Sequence, residues 1–224
     1  MSSNFNIATF NLWKNCGDFP NRIHEIPKLL KDLDCICFQE DFNSKDFSSS
    51  NTINKKLNFH QVSLPIRKKQ RDGVISTSNL TILTKYKPIK IKEVYFDEKG
   101  EDERGALFIQ LEYKQKKISI LNTHLTNINQ QSRVKQIVKL INTINCKKSD
   151  LFIICGDMNA TPPSKEIKLI KNCGFSTINE DITYNEGLIL DYIFFKTNFR
   201  VENKSEIIIK KLSDHYCLKN SFKW

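Results

Sequence analysis

Glycine and proline are scarce in this chain of 224 residues, which has seven of the first and six of the second. No stretch is rich in Pro, Gly or Ser, and no segment repeats, so nothing marks a linker between domains. The hydrophobic fraction of 39% is enough for one sizeable core. We therefore predict a single domain over residues 1–224.

Long apolar runs are also absent, since none approaches the roughly 20 residues that a helix needs to cross a bilayer. Residues 1–4 lack the basic and apolar regions of a signal peptide. The seven cysteines are an odd number and form no Cys-x-x-Cys pair. Because Cys35, Cys37 and Cys155 lie in apolar runs, we interpret the cysteines as reduced core residues. We expect an intracellular, cytoplasmic protein.

The charge of the chain is strongly positive, at +10. This excess favours a polyanionic partner, such as nucleic acid or an anionic membrane surface. Only six of the 35 cations are arginines, and Lys, Asn and Ile are all abundant, so an AT-rich coding sequence would produce the same excess. The densest basic run, residues 67–71, is predicted to be a loop that is merely solvated or that flanks a substrate groove.

Apolar periodicity predicts many strands with a few helices between them. Strands are expected at residues 5–12, 35–38, 59–64, 80–84, 89–96, 106–113, 118–123, 151–155, 190–195, 206–210 and 217–222. Helices are expected after Asp18 with Pro20 in the first turn, over Gln130–Ile144, and from Thr161 and Pro162 to Gly174. The charged segment 97–104 is expected to be a loop. This mixture indicates a layered α/β protein with substantial antiparallel sheet.

Polar side chains follow several of the predicted strands. Asn11 ends the first strand, and Glu40 comes just after the apolar run 35–38. Strand ends are rigid places from which side chains reach a shared site. Taken alone, Glu40 is better explained as a surface charge at a strand end, and Asn11 as an ordinary turn residue. Together, carboxylates, carboxamides and imidazoles suit a hard metal ion and acid–base chemistry on a phosphate.

Asp157 and Asn159 follow a buried strand and a glycine, Gly156. Two residues with this spacing point to the same side of a strand end. A carboxylate can hold a water or a metal there, and a carboxamide can donate to a developing oxyanion. The alternative is an Asx turn that leads into the next helix.

Two of the four histidines lie in sequence contexts that favour chemistry. His124 ends the strand 118–123, although a lone histidine at a strand end is more often structural. His215 belongs to a Ser-Asp-His run that includes Asp214 and offers an acid, a base and a hydroxyl. Asp191 is the natural partner to orient the His215 imidazole. No role is assigned to His24 or His60.

The order of these motifs resembles the endonuclease/exonuclease/phosphatase superfamily of metal-dependent phosphoesterases, which includes DNase I-like nucleases and neutral sphingomyelinases. The resemblance rests on Gln39-Glu40, on the Gly-Asp-Met-Asn run at residues 156–159 and on Ser-Asp-His at residues 213–215. Residues 79–85 and the Arg133/Gln136 pair agree with it. It covers nearly the whole chain and implies a four-layered α/β sandwich, in which two packed mixed β-sheets are flanked by helices.

The resemblance also implies a metal and a reaction. Mg²⁺ (or Mn²⁺) would be held by Glu40 with help from Asn11, and Asp214 would hold a second ion. A water would attack the phosphorus in line.

The resemblance implies roles for the remaining polar residues. His215, oriented by Asp191, would act as the base or bind the scissile phosphate. Asp157 would position or deprotonate the water, and Asn159 and His124 would stabilise the phosphoryl oxygens. The division of labour between Asp157 and His215 stays open.

The substrate class is narrowed by missing motifs. The Asn-x-Asn-Gly of AP endonuclease-like members and the Cys-Asp-Arg of inositol polyphosphate 5-phosphatases do not occur. We expect a nuclease acting on DNA or RNA. A sphingomyelinase-like or phosphoinositide-phosphatase-like lipid phosphoesterase, and a catalytically inactive binding module, are the alternatives. We expect a monomer, and no motif indicates a protein partner.

Overall fold

The computed structural model describes residues 4–71, 73–96, 104–144 and 149–224. The strands are β1 (Asn4–Asn11), β2 (Cys35–Ser44), β3 (His60–Arg71), β4 (Val74–Thr84), β5 (Lys90–Phe96), β6 (Arg104–Tyr113), β7 (Lys116–His124), β8 (Leu151–Asp157), β9 (Asp191–Thr197), β10 (Glu202–Ile209) and β11 (Cys217–Lys223). The helices are α1 (Asn21–Glu25), which continues as the 3₁₀ turn Ile26–Leu29, then α2 (Ser49–Leu57), α3 (Gln130–Ile144) and α4 (Lys165–Asn172). Within these ranges, no helix is long and apolar enough to cross a membrane.

The strands form two mixed sheets that pack face to face. One has the order β10-β11-β1-β2-β4-β3 and the other the order β5-β6-β7-β8-β9. The pairs β1–β2 and β7–β8 are parallel, and the other neighbours are antiparallel. Side chains such as Ile82, Ile120 and Ile153 fill the space between the sheets.

Helices cover the outer face of each sheet. Ile137 of α3 and Ile167 of α4 pack on the five-stranded sheet, and Ile23 and Ile53 from α1 and α2 pack on the six-stranded sheet. Because one apolar stripe of each helix must be buried against a sheet, the layers follow from the binary pattern. The predicted four-layered α/β sandwich is confirmed.

The two parallel pairs bring their carboxyl ends to one end of the sandwich. Asn11 lies beside Gln39, while His124, Asp157 and Asp191 stand side by side across β7, β8 and β9. The polar residues that follow these strands therefore meet at a shared edge.

The predicted loop over the basic run is wrong. Arg67 and its neighbours belong to β3, which pairs with β4 as far as Arg71 and Val74. The basic run is the second half of β3, which lies at the edge of the six-stranded sheet. This half contains few apolar residues because neither of its faces has to be buried. Sequence periodicity detects a covered face and misses such a strand.

The predicted helices also need correction. Pro27 sits in a 3₁₀ turn that ends the first helix sooner than its apolar spacing indicated. Helix α4 begins at Lys165 with Ser164 as its cap, and not at Pro162. Helix α2 was missed because only Ile53 and Leu57 are apolar in it. Of the predicted charged loop, Arg104 begins β6 and the rest lies outside the described residues.

Candidate active site

A cavity of about 340 Å³ opens where the strand ends meet. Seven of the eight residues singled out from the sequence line it: Asn11, Glu40, His124, Asp157, Asn159, Asp214 and His215. The eighth, Asp191, is fully buried behind His215. The fold thus brings together residues from both ends of the chain.

His215 is held by Asp191. The imidazole Nδ1 lies 2.8 Å from Asp191 Oδ2, so Nδ1–H donates to the carboxylate and Nε2 faces the cavity. Thr183 fixes Asp191 in turn, because its hydroxyl accepts from the Asp191 N–H. Burial acts to lower the His215 pKa, but the charge and hydrogen bond of Asp191, together with the charges of Asp157 and Asp214, outweigh it and raise this pKa to about 10. The ring is an imidazolium at neutral pH.

Asp157 lies at the centre of the cluster. Its Oδ2 accepts from Asn11 Nδ2 at 3.1 Å, and its Oδ1 accepts from the Asn159 N–H at 2.9 Å. Burial, and secondarily the charge of Asp191, raise the Asp157 pKa to about 7. A carboxyl with such a pKa can take up a proton near neutral pH.

His124 approaches the same carboxyl from the other side, with Nε2 at 3.3 Å from Asp157 Oδ2. Burial, with the charge of Arg104 next, lowers the His124 pKa well below 6.5, so this imidazole is neutral. Asn159 Nδ2 lies 3.1 Å from His124 Nε2 and also donates to the Leu125 carbonyl. A neutral Nε2 that accepts from this carboxamide accounts for both contacts of Asn159 Nδ2.

Gly156 permits the close approach of β7 and β8 beneath these residues. Its φ is +136°, and a Cβ at this position would lie 1.8 Å from the Thr123 carbonyl oxygen. Only glycine avoids this overlap. The glycine of the Gly-Asp-Met-Asn run therefore positions Asp157.

Glu40 is aimed into the cavity by a bulge in β2, where the pairing with β4 skips from Phe38 to Asp41. Its own φ of +52° departs from extended geometry. The preceding residue, Gln39, is fully buried, and its Nε2 donates to Asn122 Oδ1 of the opposite sheet at 2.7 Å. The Gln-Glu pair thus divides into one residue that joins the sheets and one that faces the site.

The residues predicted to hold a metal fit a hard divalent ion. Glu40, Asn11 and Asp214 offer oxygen donors, which Mg²⁺ prefers. A cation already contacts this set, because the Lys14 ammonium lies 2.7 Å from Glu40 Oε1. Glu40 and Asp214 are close enough that the Glu40 charge adds to the effect of burial in raising the Asp214 pKa. A different grouping of potential ligand atoms also occurs among the described residues, since those of Asp157, Asp191 and His215 lie within 4.8 Å of one another.

Eight further residues line the cavity, and Lys14, Arg67, Arg104 and Tyr184 are among them. The Tyr184 ring lies against His215, with 4.8 Å between ring centroids. Only Arg67 carried a signal, because it belongs to the basic run. The other three come from loops or a strand start without a recognisable pattern, so sequence reasoning missed them.

The chain belongs to the endonuclease/exonuclease/phosphatase family, whose model matches residues 8–215. Members of this family are hydrolases of phosphoester bonds and generally depend on a divalent metal. The class is therefore a phosphoesterase, and the resemblance seen in the motif order is confirmed. No curated protein matches the sequence.

Solved structures share the fold at low identity. A family protein from Leptotrichia buccalis C-1013-b has a TM-score of 0.83 at 16% identity, covering 98% of this chain and 100% of that one. The mannosyl-6-phosphatase of Bacteroides thetaiotaomicron VPI-5482 has 0.74 at 14%, covering 97% and 99%. Beta toxin from Staphylococcus aureus has 0.74 at 16%, covering 96% and 99%. At these identities the likeness concerns the fold alone.

Proposed function

We propose that this protein is a divalent-metal-dependent phosphodiesterase that hydrolyses nucleic acid. The proposal is carried by three cations that line the cavity. Lys14, Arg67 and Arg104 line the same space as the acid–base cluster. A single phosphodiester brings one negative charge, whereas a polynucleotide also places phosphates on both sides of the scissile bond. Three cations beside a metal site suit the longer polyanion.

The basic strand supports the same substrate. Alternate residues of a strand share a face, so Lys69 continues on β3 the face from which Arg67 reaches the cavity. Lys68 lies between them and is exposed on the opposite face. Cations that continue outward from the site favour a chain of phosphates over a small phosphate ester.

In the reaction, Glu40 and Asn11 would hold the divalent ion, with Asp214 beside them. When bound, this ion supplies a Lewis acid and positive charge for the phosphate. The site needs both because attack by water adds electron density to an anionic centre.

The chain's own acid–base residues divide the remaining work. The raised pKa of Asp157 suits it to accept a proton from the attacking water, since a base works best with a pKa near the operating pH. His215, as an imidazolium, would bind the scissile phosphate through Nε2. On substrate binding, the Asn159 carboxamide would exchange its hydrogen bond to His124 Nε2 for one to a phosphoryl oxygen. Neutral His124 would then carry its proton on Nε2 and donate to the same phosphate.

A lipid phosphoesterase is the second candidate, and exposed apolar side chains favour it. Ile128 is 64% exposed and follows Asn127, which lines the cavity, while Leu188 is 39% exposed beside Tyr184. The fold also occurs in beta toxin and in the mannosyl-6-phosphatase, neither of which is described as a nuclease. Asp181 and Glu186 are exposed in the loop that carries Leu188, and their negative charges oppose docking to an anionic membrane.

A substrate panel tests the proposal. Plasmid DNA, single-stranded DNA, RNA and sphingomyelin vesicles are each incubated with Mg²⁺, with Mn²⁺ and with EDTA. We expect metal-dependent cleavage of a nucleic acid that is lost in His215→Ala. Cleavage of sphingomyelin alone would overturn the nuclease assignment and favour the second candidate.

A matched pair of charge reversals tests the role of the cavity cations. Arg67→Glu is expected to lower kcat/KM on nucleic acid by about tenfold to a hundredfold, because it places a negative charge beside the phosphates. Lys68→Glu changes the net charge equally on the opposite face and is expected to have a much smaller effect. Equal losses in both variants would mean that only the overall charge matters.

A further inference from the structure

Lys14 forms an ion pair with the carboxylate that is expected to bind metal. Its Nζ lies 2.7 Å from Glu40 Oε1, and its backbone N–H donates to the Glu40 carbonyl at 3.2 Å. The side chains are 31% and 13% exposed, so the pair lies at the cavity wall and partly out of water. One residue thus contacts Glu40 through both its backbone and its side chain.

The loop that carries Lys14 has an unusual backbone. Trp13 and Lys14 have φ values of +54° and +47°, a left-handed conformation that side chains other than glycine rarely adopt. Two such residues in succession persist only where the surroundings hold them. The Trp13 N–H donates to Asn11 Oδ1, which ties the turn to a predicted metal ligand.

Arg22 supplies most of that support. Its buried guanidinium donates to the carbonyls of Leu12, Trp13, Lys14, Cys16 and Leu212. The guanidinium is also 5.7 Å from the Trp13 ring centroid. Four backbone contacts with residues 12–16 from one side chain fix the turn, and the contact with Leu212 ties it to another segment, so the direction of Lys14 toward Glu40 is built into the fold.

A divalent ion on Glu40 would be repelled by this ammonium, because two cations within a few ångströms of one carboxylate raise each other's energy. We propose that Lys14 is an internal counter-ion of Glu40 that competes with the divalent metal and thereby sets the metal affinity of the site. This inference rests on the proposed metal role of Glu40. Lys14 keeps the carboxylate neutralised until the metal arrives, and it raises the metal concentration that the enzyme requires.

Metal affinity of the purified protein tests the inference without reference to activity. Mg²⁺ binding is measured by isothermal titration calorimetry for wild type, Lys14→Met and Lys14→Arg. We expect Lys14→Met to lower the Mg²⁺ Kd by about tenfold, since it removes both the paired ammonium and its repulsion of the ion. Lys14→Arg keeps the charge and is expected to leave the Kd within about threefold of wild type.

Arg67→Met is the matched control. It also removes one cation from the cavity wall, but Arg67 forms no ion pair with Glu40 among the described contacts. Its effect on the Kd is therefore expected to be several-fold smaller than that of Lys14→Met. Equal effects of the two variants would mean that only the summed charge matters and would overturn the specific competition.

A Glu40→Gln variant separates this inference from the proposed function. Glu40→Gln could abolish Mg²⁺ binding while Lys14→Met leaves the Mg²⁺ Kd unchanged or raises it. In that case the proposed competition by Lys14 is wrong, and the metal role of Glu40 stands. If Glu40→Gln binds Mg²⁺ as wild type does, the metal role of Glu40 is wrong and both fall. Thermal unfolding of each variant in EDTA confirms that it is folded before titration.

Discussion

The two histidines of the site have nearly equal burial and opposite protonation. His124 and His215 are each 6% exposed, and their Nε2 atoms lie 3.3 Å and 3.6 Å from the same oxygen of Asp157. The pKa of His124 is nevertheless lowered well below 6.5, while that of His215 is raised to about 10. Depth in the protein therefore does not decide which imidazole is charged.

The difference between the two pKa values comes from the charged residues next to each ring. Behind His215 lies the Asp191 carboxylate at 2.8 Å, and its charge and hydrogen bond, together with the charges of Asp157 and Asp214, outweigh the cost of burial. His124 has the Arg104 charge nearby, which adds to the effect of burial. Neighbouring charges of opposite sign thus make His215 a cation that can bind phosphate. They leave His124 a neutral ring that can accept or donate a hydrogen bond.

The largest expected effect comes from removing the charged member. His215→Ala should lower kcat by about 10³- to 10⁴-fold, because the cation that would bind the scissile phosphate is lost. Steady-state rates on the best substrate measure this, with exposed His24→Ala as the control. A loss smaller than tenfold would contradict the role given to His215.

Gly156 keeps Asp157 between the two rings, so its replacement should disturb both. Gly156→Ala places a Cβ 1.8 Å from the Thr123 carbonyl, and we expect it to lower the free energy of unfolding by more than about 3 kcal/mol. Gly187→Ala has a φ of +84° with nothing within 4 Å of the Cβ, so it should cost only about 1 kcal/mol. Urea unfolding of both variants compares them, and similar losses would argue against the close approach at Gly156.

Asp191→Asn tests whether that carboxylate makes the two histidines differ. Without its charge, the His215 pKa should fall from about 10 toward that of an ordinary histidine, and kcat should drop by about 10²-fold. An NMR titration of the imidazole in metal-free protein reads the pKa directly. A His215 pKa that stays near 10 would show that Asp157 and Asp214 suffice.

The smallest effect concerns His124 and acid stability. Its folded pKa lies below the unfolded value near 6.5, so below that pH the unfolded chain binds more protons and stability falls as pH decreases. This contribution reaches at most about 1.4 kcal/mol per pH unit. His215, with a raised pKa, contributes stability that is present below pH 6.5 and is lost as pH rises toward 10.

His124→Asn should therefore flatten the acid side of the stability curve relative to wild type. Urea midpoints of metal-free protein between pH 7 and pH 5 measure the difference. Parallel curves for the two proteins would mean that His124 is protonated in the fold.

The positions of most of the predicted site residues could be read from the sequence because these residues follow regular elements. Asp157 and His124 end strands with clear apolar patterns, so their positions at strand ends could be predicted. Lys14 and Tyr184 lie in loops, where no periodicity constrains position. The prediction for the basic run failed because this part of β3 is held by backbone pairing with β4 more than by burial of its side chains, so it shows no apolar pattern.

The sequence by itself determined the family, the layered fold and the order of the polar residues at strand ends, because apolar spacing and short motifs are local properties. Only the tertiary structure decided which charges meet. Asn11 donates to Asp157 across 146 residues, and Asp191 and Arg104 reach their histidines through the packing of separate strands. Protonation and ion pairing depend on distances of a few ångströms, and those distances exist only after the sheets have packed.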